Sequence, residues 1–384
     1  MQAGQAALAA ELDAMADRDA ARARHVLLLA PYAPSGGGMG RMMAYLAEHP
    51  AADGTRFSMI ETRGARGAIF AVFPCLRAAW HIAACARGGG ETILHVNMAE
   101  GSSVFRKGAM LWWGSVLGLP TVLHLHAADI IGWYRRMPAP IRAWTRAVFR
   151  RADVCVTLGR LWQHWLQDEL GVEAARIEIL PNGVPRPTVI PFRASPHRCT
   201  LVFLGNLLPR KGLSDLIAAL ASDALRGREW ELIVAGGGDA APFRRQAEAA
   251  GLSARIRFAG WLGRADATAL LARATMLILP SYHEGLPLVL LEAASLGVPA
   301  IASLSGAIPD VFTHGDTALL VPAGDIRALS ASIQRLIDNP PLRAAMGSRA
   351  RALYEQSLSI DIFRCRLLGI YARHCAPGRA AVTS

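Results

Sequence analysis

The stretch PSYHEGLPLVLLEAASLGVPAIAS, Pro280 to Ser303, is almost wholly apolar yet carries two carboxylates, Glu284 and Glu292, with seven residues between them. TMLILPS (275–281) leads into it as a strand, and PAIAS (299–303) ends it as another. Between them, Gly285 permits close backbone approach, and Pro287 suits the first turn of a helix, where a missing N–H costs nothing. LVLLEAASLG then reads as helix, closed by Gly297. Glu284 falls in the loop after a strand. Glu292 lies in the helix two turns further on, rotated about 80° at 3.6 residues per turn. Both can face one cleft and accept hydrogen bonds from sugar hydroxyls; the plainer alternative pairs Glu292 with a lysine or arginine. Free N–H groups at the helix start, from Leu288 and Val289, suit an anion or sugar oxygens.

The same alternation runs along the whole chain. HVLLLA (25–30), RFSMIE (56–61), TILHVN (92–97), TVLHLH (121–126) and DVCVTL (153–158) read as strands in the first half. CTLVFLG (199–205), WELIVAG (230–236), RIRFAG (255–260) and ALLVPA (318–323) join the two strands above in the second. Near-continuous apolar strands separated by helical spacers mean parallel sheets covered on both faces. Four prolines between 182 and 198 mark a linker. At 384 residues the chain exceeds the roughly 250–300 at which a single core stops growing. The expected fold is α/β: two doubly wound Rossmann-like domains facing across a cleft, over 25–185 and 199–355, with a linker at 186–198. A final segment over 356–376, its helix roughly Ile360 to His374, would cross back to the first domain, with Cys365, Leu367, Leu368 and Tyr371 as its buried stripe. Residues 1–24 and 377–384 read as flexible tails. Ligands in such folds bind beyond the carboxyl ends of the strands.

With 52% hydrophobic and 18% charged residues, the chain is of the folded class. A net charge of +11 favours anionic partners such as a nucleotide, a phosphorylated substrate or acidic lipid. No nucleic-acid reader motif is present. The cysteines Cys75, Cys85, Cys155, Cys199, Cys365 and Cys375 form no CxxC or CxH pair, which argues against zinc and fits a reducing cytoplasm. Glu11, Asp13, Asp17 and Asp19 stand where a signal peptide needs an apolar core. The run nearest to a membrane span, Ala68 to Ala86, is broken by Pro74 and Arg77 and reads as a buried helix.

Further motifs sit at strand ends. FLGNLLPRKG (203–212) leaves a strand and enters a helix, where Arg210 and Lys211 can grip a diphosphate through charge-assisted hydrogen bonds. PSGGGMGR (34–41) is no dinucleotide fingerprint, since Met43 stands where a third glycine belongs. In LHLHAAD (123–129), alternation sends His124 and His126 to one face, with His126 at the carboxyl end and His124 read as core. Asp129 is a candidate on the acceptor side.

SGGGMGRMMAYL, LHLHAADI, ILPNGVP, FLGNLLPRKG, VAGGGD, RIRFAGWLG, EGLPLVLLEAASLGVPAIAS and GAIPDVF follow one another along the chain. Together they resemble family-4 glycosyltransferases of the bacterial exopolysaccharide or lipid-linked-sugar type, retaining enzymes of GT-B fold with an E-x7-E motif. The resemblance runs from about His25 to the last helix. It implies that Glu284, with the amides of Gly285 and Leu286, holds hydroxyls of the donor hexose, and that Glu292 holds the ribose. By the same resemblance, Trp261 and Leu262 offer backbone to the base, and Gly37 and Gly38 turn close to the donor phosphate. His126 would bond the hexose, or a carbonyl near it would stabilise developing positive charge. Domain closure would hinge near residue 190. This chain keeps the family's lysine as Lys211 but has Asn206 at the arginine position. Either Arg210 substitutes, or Asn206 only hydrogen-bonds the phosphate.

No DxD lies in either globular half; Asp17-Arg18-Asp19 belongs to the tail. The expected enzyme therefore uses no metal or other cofactor, and neutralises the leaving diphosphate with Lys211, Arg210 and helix dipoles. From Glu100 to Arg151, eight basic residues stand against two acids, Glu100 and Asp129. Arg142, Arg146 and Arg150 stripe one helix face, and Arg106 and Lys107 lie beside Trp112 and Trp113. That is the chemistry of an anionic membrane interface, unless the tryptophans are core and the arginines only solvate a helix. The expectation is a cytoplasmic hexosyltransferase, peripheral at the inner face of the plasma membrane. It would move a hexose from a nucleotide sugar, with mannose from GDP-mannose the first choice, to a lipid-linked or polysaccharide acceptor. The rivals are a nucleotide-sugar epimerase or hydrolase of the same architecture and a noncatalytic nucleotide-sugar sensor.

Overall fold

The computed structural model describes residues 24–31, 37–48, 54–62, 72–88, 91–188 and 198–375. The expected tails, apart from Arg24, and most of the expected linker lie outside the described residues, as do Asp17 and Asp19. The chain divides into two compact units, Met1–Pro181 with Ile360–Ser384, and Asn182–Ser359.

In the first unit β1 (His25–Leu29), β2 (Arg56–Ile60), β3 (Thr92–Met98), β4 (Thr121–Leu125), β5 (Val154–Thr157) and β6 (Ile177–Ile179) form one sheet in the order β2-β1-β3-β4-β5-β6. Every pairing is parallel. The connecting helices are α1 (Gly37–Glu48), α2 (Val72–Arg87), α3 (Ser102–Val116), α4 (Ile130–Arg136), α5 (Ala139–Arg151) and α6 (Arg160–Asp168). Strand order steps left after β1 and right thereafter, so right-handed crossovers place α1 on one face and α2, α3 and α5 on the other. Accordingly α2 packs on α3, and α3 on α5. All seven residues of β3 are buried, as a strand covered on both faces requires.

The second unit repeats the plan with β7 (Cys199–Leu204), α7 (Leu213–Leu220), β8 (Trp230–Ala235), α8 (Ala241–Ala249), β9 (Ile256–Gly260), α9 (Arg264–Arg273) and β10 (Met276–Leu279). It continues through α10 (Leu288–Ser295), β11 (Ala300–Ser303), α11 (Ile308–Val311), β12 (Leu319–Val321), α12 (Ile326–Asp338) and α13 (Pro340–Leu353). The sheet order is β12-β11-β10-β7-β8-β9, again parallel. Its core joins Leu201 and Phe203 of β7 with Trp230, Met276, Ile278 and Ile301. Asp325 caps α12 by accepting from Ala328 N at 2.9 Å. The last helix, α14 (Ile360–His374), belongs to the first unit.

Several expectations need correction. The first unit gives way at Pro181 rather than 185, because Asn182 and Val184 are held by the second unit. Asn182 Nδ2 donates to Leu286 O, and Val184 bridges to Ser359. The same bridge keeps Ser359 in the second unit, and the last helix runs from Ile360 to His374, as read from sequence. Strand β6 was not foreseen; three residues carry too little pattern. On α14 the buried face is Ile360, Phe363, Leu367, Ile370 and Tyr371, while Cys365 and Leu368 are only half-buried. Of the predicted buried helix of 68–86, residues 68–71 lie outside the described residues, and the rest falls in α2, which buries only Ala78, Ile82 and Ala83. Its large apolar side chains Val72, Phe73, Leu76 and Trp80 are exposed.

Candidate functional site

Strand order in the second unit reverses between β7 and β10, the place where an open α/β sheet leaves a crevice beyond its strand ends. The two loops that leave those strands carry Lys211 and Glu284. Lys211 Nζ lies 2.5 Å from Glu284 Oε1, and both side chains are largely shielded from solvent. Arg210 joins the loops a second time: its Nη1 donates to His283 O at 2.9 Å, and its carbonyl accepts from Tyr282 N at 2.8 Å. Gly212 follows in left-handed backbone at φ 69°, where a Cβ would run into Pro280 O.

Glu284 is fixed from a third side. Its N–H donates to Ser305 Oγ at 3.0 Å, and Ala307 N donates to Gly285 O at 2.9 Å. Between these bonds Gly306, at φ 59°, passes so close that a Cβ would run into Glu284 O. Ser305 and Asn182 are positioning residues that the sequence reading missed; Gly306 stood in GAIPDVF without a role. Pro287 occupies the cap of α10 as expected, and Glu292 sits half-buried in the helix. Leu286 and Leu288 are buried, while Gly285 and Val289 are half-buried.

The remaining residues expected on the donor side gather at the neighbouring strand ends. Gly205 N bonds Ala235 O, Leu207 N bonds Gly237 O at 2.7 Å, and Gly236 N bonds Gly260 O. These bonds hold the ends of β7, β8 and β9 together, with Asn206 exposed beside Gly237 and Trp261 66% exposed. Leu262 is half-buried. In the first unit, Gly37 and Gly38 are exposed at the start of α1.

His126 lies just beyond β4, with Nε2 2.9 Å from Asn97 Oδ1, and Lys107 Nζ donates to Asn97 O at 2.5 Å. Behind it stand two fully buried histidines. His124 packs 4.0 Å from His126, centroid to centroid, and stacks on Phe363 of α14. His95 Nδ1 bonds Tyr371 OH at 2.6 Å. Neither ring nitrogen of His124 has a hydrogen-bond partner. Burial, with His95 and Lys107 nearby, pushes His126 down to about 3. Burial likewise takes His95 to about 3 and His124 well below its ordinary value. All three imidazoles are neutral at pH 7, so His126 can orient a substrate group but offers no cation there. Asn97, which with Tyr371 sets this cluster, was not singled out from sequence; Tyr371 was read there only as part of the last helix's buried stripe.

The proposed acceptor face divides. Lys107 is not a surface cation: it is buried under α3, lowered to about 7 by burial and by neighbouring Arg106. Arg106 is half-buried and donates to Ser102 Oγ. Arg142, Arg146 and Arg150 are exposed on α5. Trp112 and Trp113 are neither core nor fully exposed. Trp112 stacks on Trp144 at 5.9 Å, and Trp113 Nε1 donates to Ala79 O at 3.1 Å, with about two fifths of each side left open. Asp129 pairs with Arg136 at 3.0 Å.

Comparison with known proteins agrees with this architecture. The family description "Glycosyltransferase Family 4" matches residues 36–186, and "Glycosyl transferases group 1" matches residues 193–353. The chain is 24% identical over 274 residues to alpha-D-kanosaminyltransferase of Streptomyces kanamyceticus, covering 67% of this chain and 71% of that one. It is 33% identical over 227 residues to phosphatidyl-myo-inositol mannosyltransferase of Mycobacterium leprae, covering 57% and 58%. Among solved structures, Anabaena HepE in complex with UDP-glucose superposes with a TM-score of 0.70 at 16% identity, covering 91% of this chain and 99% of that one. With the two matches spanning most of its length and its two parallel six-stranded sheets, the chain belongs to the family-4 glycosyltransferases of GT-B fold.

Proposed function

We propose that this glycosyltransferase moves a hexose, with retention, from a nucleotide sugar to a lipid-linked or polysaccharide acceptor, and that the donor is GDP-mannose. The observation that carries the donor half is the Lys211–Glu284 pair at the switch of strand order, beside the N-terminus of α10. A cation, a carboxylate and free amides together suit a sugar diphosphate. In this reading Lys211 and Arg210 take the diphosphate, and the carboxylate of Glu284 takes hexose hydroxyls, with the amides of Gly285 and Leu286. Glu292 takes the ribose, and the backbone at Trp261 and Leu262 meets the base. Neutral His126 is assigned to the reacting sugar by family resemblance. Charge on the departing diphosphate falls to the two cations and the helix start rather than to a metal ion. The leaving phosphate oxygen takes the acceptor proton as the acceptor oxygen bonds the anomeric carbon on the same face.

The UDP-glucose bound to HepE supports a nucleotide-sugar donor, and the relative from Mycobacterium leprae is named for mannosyl transfer to a phosphoinositide. The acceptor is therefore proposed to be lipid-carried and met at the membrane surface. No helix among the described residues is long and apolar enough to cross a membrane.

The test incubates the protein with radiolabelled GDP-mannose or UDP-glucose, with and without a lipid extract. Label moving into the organic phase from GDP-mannose alone, only with extract, and lost in Glu284→Ala, is the expected result. Acceptor-independent release of free hexose or an epimerised nucleotide sugar overturns the transferase reading; label from UDP-glucose overturns the choice of mannose.

A further inference from the structure

Helices α2, α3 and α5, which cover one face of the first sheet, contain no aspartate or glutamate. They carry Arg77, Arg87, Arg106, Lys107, Arg142, Arg146, Arg150 and Arg151. Of these Lys107 is buried and Arg106 half-buried, while Arg77, Arg87, Arg142, Arg146 and Arg150 are exposed. The same layer shows large apolar side chains to solvent. On α2, Val72, Phe73, Leu76 and Trp80 recur at helical spacing along the side opposite Ala78 and Ile82, with Phe73 76% and Trp80 68% exposed. On α3, Phe105, Trp112, Trp113 and Val116 form a second outer stripe, and Trp113 ties the two helices together through Ala79 O.

A soluble helix ordinarily turns its Phe, Leu and Trp inward, and α2 does the reverse. An apolar stripe flanked by arginine and free of acid is the composition of a helix that lies in a bilayer surface. A symmetric contact with a second copy would set arginine against arginine, since an isologous interface faces itself. We infer that α2 is an insertion ridge: Phe73, Leu76 and Trp80 enter the acyl boundary of an anionic bilayer, with the α3 tryptophans at headgroup level and the α5 arginines over the lipid phosphates. This places the docking element on α2, in the run that reads from sequence as buried core. Because docking needs neither donor nor acceptor, its failure leaves the transfer reading standing.

The experiment is flotation of the full chain with phosphatidylcholine vesicles, alone or containing about 30% phosphatidylglycerol, an anionic surface charge that attracts basic segments. The wild type is expected to float with the anionic vesicles only. The triple variant Phe73→Ser, Leu76→Ser, Trp80→Ser should lower the partition coefficient at least about a thousandfold, the scale of withdrawing three large apolar groups. Its circular dichroism should be unchanged, because the residues are exposed. Arg142→Gln, Arg146→Gln, Arg150→Gln should weaken binding about a hundredfold and reduce its sensitivity to salt. Ile326→Ser, an exposed apolar side chain of the second unit, should have no effect. Unchanged flotation of the ridge variant overturns the inference, as does a wild type that floats with neither vesicle. A concentration-dependent dimer that the ridge variant abolishes overturns it in favour of a second copy.

Discussion

Lys211 and Glu284, 73 positions apart, meet at 2.5 Å where the strand order of the second sheet reverses. Topology brings them together: β7 and β10 are neighbours in the sheet, and each residue lies in the loop that leaves its strand. With side chains 14% and 7% exposed, neither charge is fully compensated by water.

Removing one partner should therefore cost more than removing both. Lys211→Met or Glu284→Leu alone should lose about 3–5 kcal/mol of stability, and the double variant less than either single one. Hydrogen exchange of the β7 and β10 amides measures this within the second unit. Lys211→Met should also lower kcat/KM about 10²–10³-fold, the usual loss when a preorganised charge is removed from a reacting group.

Gly306 supplies a sharper test of how Glu284 is held. Gly306→Ala puts a Cβ against Glu284 O in left-handed backbone. Gly315 has a similar positive φ of 79° with open space around it. Gly315→Ala should cost about 1–2 kcal/mol from backbone conformation alone. Gly306→Ala should cost more and, unlike the control, raise KM for the donor, because the clash falls on the backbone of Glu284. Equal effects of the two substitutions on KM would remove Ser305 and Gly306 from the site.

Acid should weaken the first unit. His95 and His124 are fully buried, and burial favours their neutral forms. Unfolded, each takes a proton below about pH 6.5; folded, His95 does so only near 3. In that window the unfolded chain binds more protons, so stability rises with pH and is lost on acidification, by up to about 1.4 kcal/mol per pH unit for each histidine. The surrounding groups, His126, Asn97, Lys107, Phe363 and Tyr371, include no carboxylate to offset this. Seven of the nine tryptophans lie in the first unit, so urea unfolding followed by fluorescence at pH 7, 6 and 5 reports on it. His124→Leu should flatten the profile by about one proton.

Most of the architecture was legible because apolar strands buried on both faces leave continuous runs; β6, with Ile177, Glu178 and Ile179 only, leaves none. The loop acid and the helix acid were legible from Gly285, Pro287 and Gly297, whose backbone requirements fix a strand-loop-helix order. Ser305 and Asn182 were not, since their roles depend on contacts between distant loops. Lys107 was misread by its neighbours in FRKG. Helical spacing aligns it with buried Val104, Gly108 and Leu111, a signal that was present but outweighed by the adjacent arginine. Apolar character alone hid the outward side of α2, because hydropathy does not say which way a stripe faces.

Asn206 stands where the family resemblance implies an arginine, and the difference can be reversed. It stands exposed at the end of β7, beside the Gly236–Gly238 turn, within the cluster of strand ends that also carries Trp261. An arginine there adds a second donor fork for the diphosphate, 5 positions before Lys211. Asn206→Arg should tighten nucleoside-diphosphate binding about tenfold in titration calorimetry, the value of one further charge-assisted contact at a partly solvated site. Stability should barely change, since Asn206 is exposed. If Arg210 already fills the role, Asn206→Arg will leave affinity where it is and Arg210→Gln will lower it by a similar factor. If both substitutions leave affinity unaltered, the diphosphate is not bound at the end of β7, and the donor half of the proposal fails with it.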